Sequence, residues 1–445
     1  YIFNYYVQNK IRSTLHIKNL MFNFLARKEV TKLYDLQEKS VALFLILLFV
    51  INIVACNKAK DSEKEKQLNI YVDLKDKESS SILKSAIEGY KKDNPKVKVS
   101  INNAIGGKIE EDIGKNSNTD IVFTSRNNMI KLSRKGLLSD MGNFYDESKL
   151  NDKYYTIVNS YGRFNDKYYG IGLIPYTIEI FYNESYFKKE NLKVPSSIDE
   201  LKNTLKSLNE KSIKIPVILT EDLDINNGLA SMIINNKVSM RKLESKYDSG
   251  AEFYKSLNEM QQAFDDMAAF IKQNNISKNT FEIGNESSVN KFIKGDLPLI
   301  ISSSYYVKDF KDENKDVKII ENFTGGNSSK MVVPVICNSI LCTPVNSKNS
   351  EEINSFTKFI ISDDFQKKLV QEGFVTGNKK ANSSIKSGVK SVVVKHLKES
   401  TENNIIFVEN VPEKLKSGIS SKIDELLSGK PSTKIWEEIV NDAYK

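Results

Sequence analysis

Histidine is almost missing from this 445-residue chain: His16 and His396 are the two it has. Cysteine is nearly as scarce, with Cys56, Cys337 and Cys342. No second cysteine pair and no histidine cluster offers metal-ligand spacing, so neither a resident metal nor a cofactor is expected. Proton-transfer catalysis needs a base, a nucleophile and an orienting group within reach. His16 lies in the leader, and His396 closes "VVVKH" with no nucleophile beside it, so the chain is not read as an enzyme. A long basic run is also absent. The net charge is +8, but Lys and Glu interleave throughout, which describes a solvated surface and no nucleic-acid face. Tryptophan occurs once, at Trp436, beside heavy use of Lys, Asn and Ile; that bias reflects AT-rich coding and carries no functional information. The Gly-rich "NFTGGNSSK" lacks the G-x-x-x-x-G-K-[ST] pattern and reads as a loop. In "EDLDINNG", Asp222, Asp224 and Asn226 alternate like calcium ligands, but Gly228 falls one place late and Ile233 stands where the closing glutamate belongs, so no EF-hand is expected. Finally, no apolar run reaches the ~20 residues that cross a bilayer.

The longest apolar run, Val41 to Ala55, has about 15 residues, a length suited to the apolar region of a secretory signal. Lys39 precedes it, small Ala55 closes it, and charged "NKAKDSEKEK" follows Cys56. "Ile53-Val54-Ala55-Cys56" resembles the bacterial lipobox. The resemblance implies cleavage before Cys56, a diacylglyceryl group on its sulfur, and an acylated (palmitate-carrying) N-terminus. An ordinary signal, a membrane anchor, or a buried core helix are the other readings. Met21 is the one methionine ahead of the run. Residues 1–20 are expected to be an upstream extension of the reading frame. Residues 1–55 are thus read as extension plus signal peptide, and 56–67 as lipidated cysteine and tether.

The roughly 390 residues that remain are too many for one core and point to two lobes. "LNIYV" alternates as a strand. In "SSSILKSAIEGYKKDNP", Ser79 to Ser81 offer N-caps, and Ile82, Leu83, Ala86, Ile87 and Tyr90 form one helical stripe. "VKVSI" and "TDIVF" read as strands; "GKIEEDIGKN" and "NNMIKLSRKGLL" read as helices, the latter ending near Gly136. This βαβ spacing predicts a mainly parallel sheet covered on both faces. Cys337 and Cys342 sit in the strand-like "VVPVICNSILCTPV", as two buried thiols or a local disulfide.

The order "LNIYV…AIEGYKKDNPKVKVSI…TDIVFTS…RKGLLSDM" resembles the start of extracellular solute-binding proteins of the maltose-binding-like branch. "YYGIGLIPYTIEIFYNESYFKKENLKVPSSIDELKNTLKSL", "VNKFIKGDLPLIISSSYY", "VPVICNSILCTPVNSKNSEEINSFTKFIISDDFQKKLVQEG" and "IDELLSGKPSTKIWEEIVNDAYK" resemble its later segments, in order. The resemblance implies an α/β, two-lobed periplasmic-binding-protein-like fold (type II), with hinged lobes around a ligand cleft. It places residues 68–173 and 337–400 in lobe 1, and 178–331 and 410–445 in lobe 2. Crossings fall near Ile174–Ile180, Val332–Ile336 and Ile405–Asn410.

The implied role is a lipid-anchored, extracytoplasmic, monomeric protein of the cell envelope. It would deliver a small solute, preferably a carbohydrate, to an ABC permease and its ATPase. The alternative is ferric iron or a small anionic or organic solute such as glycerol phosphate. Ligands of parallel sheets sit at strand carboxyl ends. Asp73 and Lys75 follow the first strand; Ser125, Arg126 and Asn127 follow the third. Tyr176 and Thr177 stand in the first crossing, and Tyr305 and Tyr306 end a strand. Arg126 would suit an anion. Tyr305 would stack on a sugar face, and Tyr306 would point elsewhere if the segment is extended. In the iron-binding relatives such adjacent tyrosines act with a carboxylate after the third strand, where this chain reads "TSRNN".

Overall fold

In the computed structural model, the first described element is strand β1 (Lys66–Val72), which buries Leu68, Ile70 and Tyr71. Described are residues 66–445 apart from 75, 104–107, 116–117, 221–222, 311–313, 322–323, 325–329, 338 and 431–432. The leader, Cys56 and the tether up to residue 65 lie outside them, as does Lys75; residues 66 and 67, read as tether, already belong to β1. β1 pairs in parallel with β2 (Val97–Asn103) and β3 (Ile121–Thr124), with Ile70 opposite both Ile101 and Ile121. The helices Lys77–Asp93 and Ile109–Lys115 make the crossover connections that parallel pairing requires. The first buries the expected stripe of Ile82, Leu83, Ala86 and Tyr90. Its N-cap is not one of Ser79 to Ser81. Asp76 takes the extended conformation and accepts from Ser79 N–H at 2.7 Å. A carboxylate there meets both the free amides and the helix dipole, so the helix starts ahead of the serines. Ser125 caps the helix Arg126–Arg134, and Gly136 leaves it at φ 67°.

The chain then forms β4 (Arg163–Phe164), β5 (Lys167–Tyr168) and β6 (Ile171–Gly172) before entering β7 (Tyr176–Asn183). β8 (Ile215–Ile218), β9 (Phe281–Ile283), β10 (Leu299–Ser303) and β11 (Val317–Ile319) follow, then β12 (Val335–Ile336) and β13 (Ile340–Cys342). One sheet has the order β2-β1-β3-β13-β6, the other β11-β7-β10-β8-β9. The parallel cores β2-β1-β3 and β10-β8-β9 agree with the βαβ spacing. Returning strands β7 and β13 add antiparallel pairs.

The second sheet is covered by helices Ile198–Glu210, Ile225–Ile234 and Asn258–Gln273. The C-terminal helices Glu413–Leu427 and Ile435–Ala443 pack on the latter two. Trp436 anchors them: its indole N–H donates to Tyr254 O at 2.6 Å and its ring stacks on Phe264. Helix Gly388–Glu399, placed by the sequence with lobe 1, packs instead on β7 and β11. His396 there faces Glu179 of β7 across 2.9 Å, both buried. Cys337 and Cys342 are free, buried thiols; burial pushes Cys337 up to about 12. Asp224 caps helix Ile225–Ile234 by accepting from Asn227 N–H, which gives this acidic stretch a local structural use. Among the described residues no helix is long and apolar enough to cross a membrane.

The chain crosses between the sheets three times, and the crossings hold one another. Val335 of β12 pairs with Thr177 of β7 on one side and bridges Ile405 on the other. Ile178 N–H donates to Pro334 O at 2.8 Å, and Ile406 N–H to Val335 O at 3.1 Å. The Tyr161 hydroxyl also donates to Val335 O, at 2.6 Å. Few backbone bonds in a narrow bundle are what a hinge between rigid lobes requires.

Candidate functional site

The end of β10 and the first residues of β7 bring four of the candidate residues, Tyr176, Thr177, Tyr305 and Tyr306, to one region. The Tyr176 ring is buried and meets Tyr305 edge-on, 5.8 Å between centroids at 90°. Tyr305 meets Tyr306 edge-on at 5.1 Å and lies 6.1 Å from Phe374. Lys308 places its ammonium 4.6 Å from the centre of the Tyr305 ring. Thr177 N–H donates to Ser304 Oγ at 2.9 Å, which ties the first crossing to the end of β10. The segment Ser304–Asp309 is a 3-10 helix and is not extended. Tyr306 therefore does not project away from Tyr305; both are half-buried side by side.

Two residues absent from the sequence-based set join them. Asp76 and Glu78, at the start of the helix after β1, are buried. Burial raises the Tyr176 phenol well above its ordinary pKa, and Glu78, Tyr305 and Asp76 raise it further. Burial also raises Tyr305, opposed by Lys308 and reinforced by Glu78. Tyr306 is raised by burial and then by Glu78. Asp76 had a legible signal, a capping carboxylate just beyond a strand end. Phe374, in a loop after helix Asp363–Gln371, had none.

Several buried polar atoms of these segments have no hydrogen-bond partner: Asp76 Oδ2, Ser79 Oγ, Asn127 Oδ1, Tyr176 OH and Thr177 Oγ1. Each such atom costs about 1–3 kcal/mol if it stays unsatisfied. Acceptors and hydroxyls beside aromatic rings can receive a molecule that has apolar faces and many O–H groups.

The remaining candidates are otherwise engaged. The Asp73 carboxylate accepts from Asn128 Nδ2 at 2.5 Å and from Thr124 Oγ1 at 3.5 Å. Ser125 Oγ accepts from Asn128 N–H as helix cap. Arg126 differs most from expectation. It is fully buried. Its Nη1 donates to Ser160 O, Tyr161 O and Arg163 O at 3.0, 2.8 and 2.8 Å. Its Nη2 donates to Glu244 Oε2 at 2.8 Å and to Asn410 Oδ1 at 3.2 Å. With a carboxylate already paired, this guanidinium is not placed to receive an anionic solute.

Residues 75–367 match the family of bacterial extracellular solute-binding proteins. A relative named "Multiple sugar-binding protein", from Streptococcus mutans serotype c, is 27% identical over 175 residues, 38% of this chain. The match spans 40% of that relative's length. Among solved structures, a probable secreted solute-binding lipoprotein from Streptomyces coelicolor superposes with a TM-score of 0.65 at 13% identity, covering 86% of this chain and 99% of that one. An extracellular solute-binding protein from Staphylococcus aureus, in complex with maltose, gives 0.60 at 16% identity, covering 85% and 97%. The two hinged sheets, the crossings and the match over most of the folded region agree: the chain belongs to the bacterial extracellular solute-binding proteins.

Proposed function

We propose that this protein captures a carbohydrate in the cleft around Tyr305 and delivers it to an ABC permease with its ATPase. The observation that carries this reading is the set of unsatisfied acceptors and hydroxyls from Asp76, Ser79, Tyr176 and Thr177 near the rings of Tyr305, Tyr306 and Phe374. Sugars offer O–H groups to the former and C–H faces to the latter. The named relatives support it: one is called multiple sugar-binding, one was solved with maltose, and another with α-D-tagatose. Binding, without catalysis, is the whole task. The ligand is enclosed by rotation of the lobes at the three crossings. Lobe 1 comprises 68–173 and 337 to about 387, and lobe 2 178–331 and 411–445; helix Gly388–Glu399 packs on lobe 2 ahead of the third crossing at 405–410.

The test is a thermal-shift screen of residues 57–445 with mono- and oligosaccharides, glycerol phosphate, sugar phosphates and ferric salts. A saccharide at a hundredfold excess over its Kd stabilises by about 2.7 kcal/mol. Stabilisation by a phosphorylated solute or ferric ion alone, with none by any sugar, overturns the reading.

The protein acts as an extracytoplasmic monomer held by lipid on Cys56. Cys56→Ser abolishes metabolic labelling with palmitate and releases or misprocesses the protein. Wild-type protein that stays membrane-bound without label rules the lipid anchor out.

A further inference from the structure

We infer that Arg126 and Glu244 form a latch between the two lobes, which holds the cleft closed and sets how long a ligand stays in it. The inference rests on the reading of the cleft as the ligand site, but its first test does not need a ligand.

The helix Met240–Ser245 and the turn after it belong to the second half of the fold, yet they dock on the first. Glu244 meets Arg126 at 2.8 Å with both side chains buried. Asp248 pairs with Arg134. Arg241 reaches Asp166 at 3.0 Å and shares Glu402 with Arg163. Tyr247 packs edge-on against Phe164, 5.7 Å between centroids. None of these groups is among the rings and hydroxyls gathered at Tyr305. The seam therefore joins the lobes while leaving the ligand's own partners free. In the same conformation the cleft walls also meet, with Phe374 beside Tyr305 and Gly373 against Lys308. The latch is thus formed in the closed arrangement.

The two arms of the guanidinium divide the work. Nη1 is held by three carbonyls of the first lobe, at residues 160, 161 and 163. Nη2 reaches across to Glu244 and to Asn410 of the third crossing. When the lobes part, Nη1 keeps Arg126 in place, so the pair can re-form without searching for its geometry. Opening separates Glu244 from Arg126 and gives up their short charge-assisted hydrogen bond, a loss that hydration of the two groups only partly offsets. Polar space is at hand on the same seam: a cavity of about 460 Å³ is lined by Lys131, Arg134, Phe164 and Asp248. A ligand that binds the closed form has an apparent affinity scaled by the population of that form.

Glu244→Gln keeps the shape and removes the charge. Small-angle scattering of the ligand-free protein is expected to show a larger radius of gyration than wild type, from an open population raised about tenfold. With maltose as probe, dissociation is expected to accelerate about tenfold. A folded Glu244→Gln protein whose scattering matches wild type overturns the latch. Expansion of Glu244→Gln with no binding of any saccharide by wild type leaves the latch standing and removes the carbohydrate reading instead. Should Glu244→Gln fail to fold, Tyr247→Ala weakens the same seam without touching a buried charge, and unchanged scattering from that variant is equally fatal.

Discussion

Arg126→Ala is expected to lower the free energy of unfolding by about 3–5 kcal/mol, the range for removing one member of a buried ion pair. The loss has two sources. Glu244 is left as a charge with little access to water. The carbonyls of Ser160, Tyr161 and Arg163 lose their common donor, and each is on a stretch that feeds the crossing bundle. Arg126→Lys is expected to recover only part of this. One ammonium carries the charge but not the planar fork that spans both sets of acceptors. Urea titrations at constant m-value measure the difference directly. The result that counts against this placement is a stable Arg126→Ala protein that has lost binding of a phosphorylated solute. That outcome would return Arg126 to the ligand.

Arg126 also marks where reading a sequence stops. Position after a strand's carboxyl end was visible, and it holds: residues 125–127 follow β3. Whether a side chain there turns to the cleft or inward depends on its partners, and Glu244 and Asn410 lie 118 and 284 residues away. Strands and helices were legible because each carries its own apolar period, as the stripe from Ile82 to Tyr90 shows. Helix Gly388–Glu399 carries such a pattern too, but the pattern does not say which sheet it covers; the buried His396–Glu179 contact and the packing on β11 decide that. Tyr306 lies beside Tyr305 instead of pointing away from it for a local reason. Ser303 Oγ accepts from Tyr305 N–H at 3.2 Å, and that side-chain turn winds the segment into a 3-10 helix. In a strand adjacent residues face opposite ways; in this turn they share a wall.

Tyr305→Ala is expected to weaken saccharide binding roughly ten- to a hundredfold, because removing the stacking ring forfeits about 1–3 kcal/mol of apolar burial. The ring is half-buried, at the centre of contacts with Tyr176, Tyr306 and Phe374, and the Lys308 ammonium stands 4.6 Å from it. Tyr305→Phe should lose less, because the face remains and only the hydroxyl goes. For ferric iron the two variants would be nearly equal, since both lose the phenolate. Tyr176→Phe provides the sharper control. The Tyr176 hydroxyl is buried without a partner, so its removal relieves an unsatisfied group and should leave the ligand-free protein as stable as wild type or up to about 1 kcal/mol more stable. If that hydroxyl serves a sugar oxygen, the same substitution weakens binding about tenfold, and stability and affinity move in opposite directions. Titration calorimetry and denaturation of the one variant read both quantities. A Tyr176→Phe protein with full affinity takes the hydroxyl out of the site, while full affinity in a folded Tyr305→Ala protein takes the stacking ring with it and moves the ligand away from this wall of the cleft.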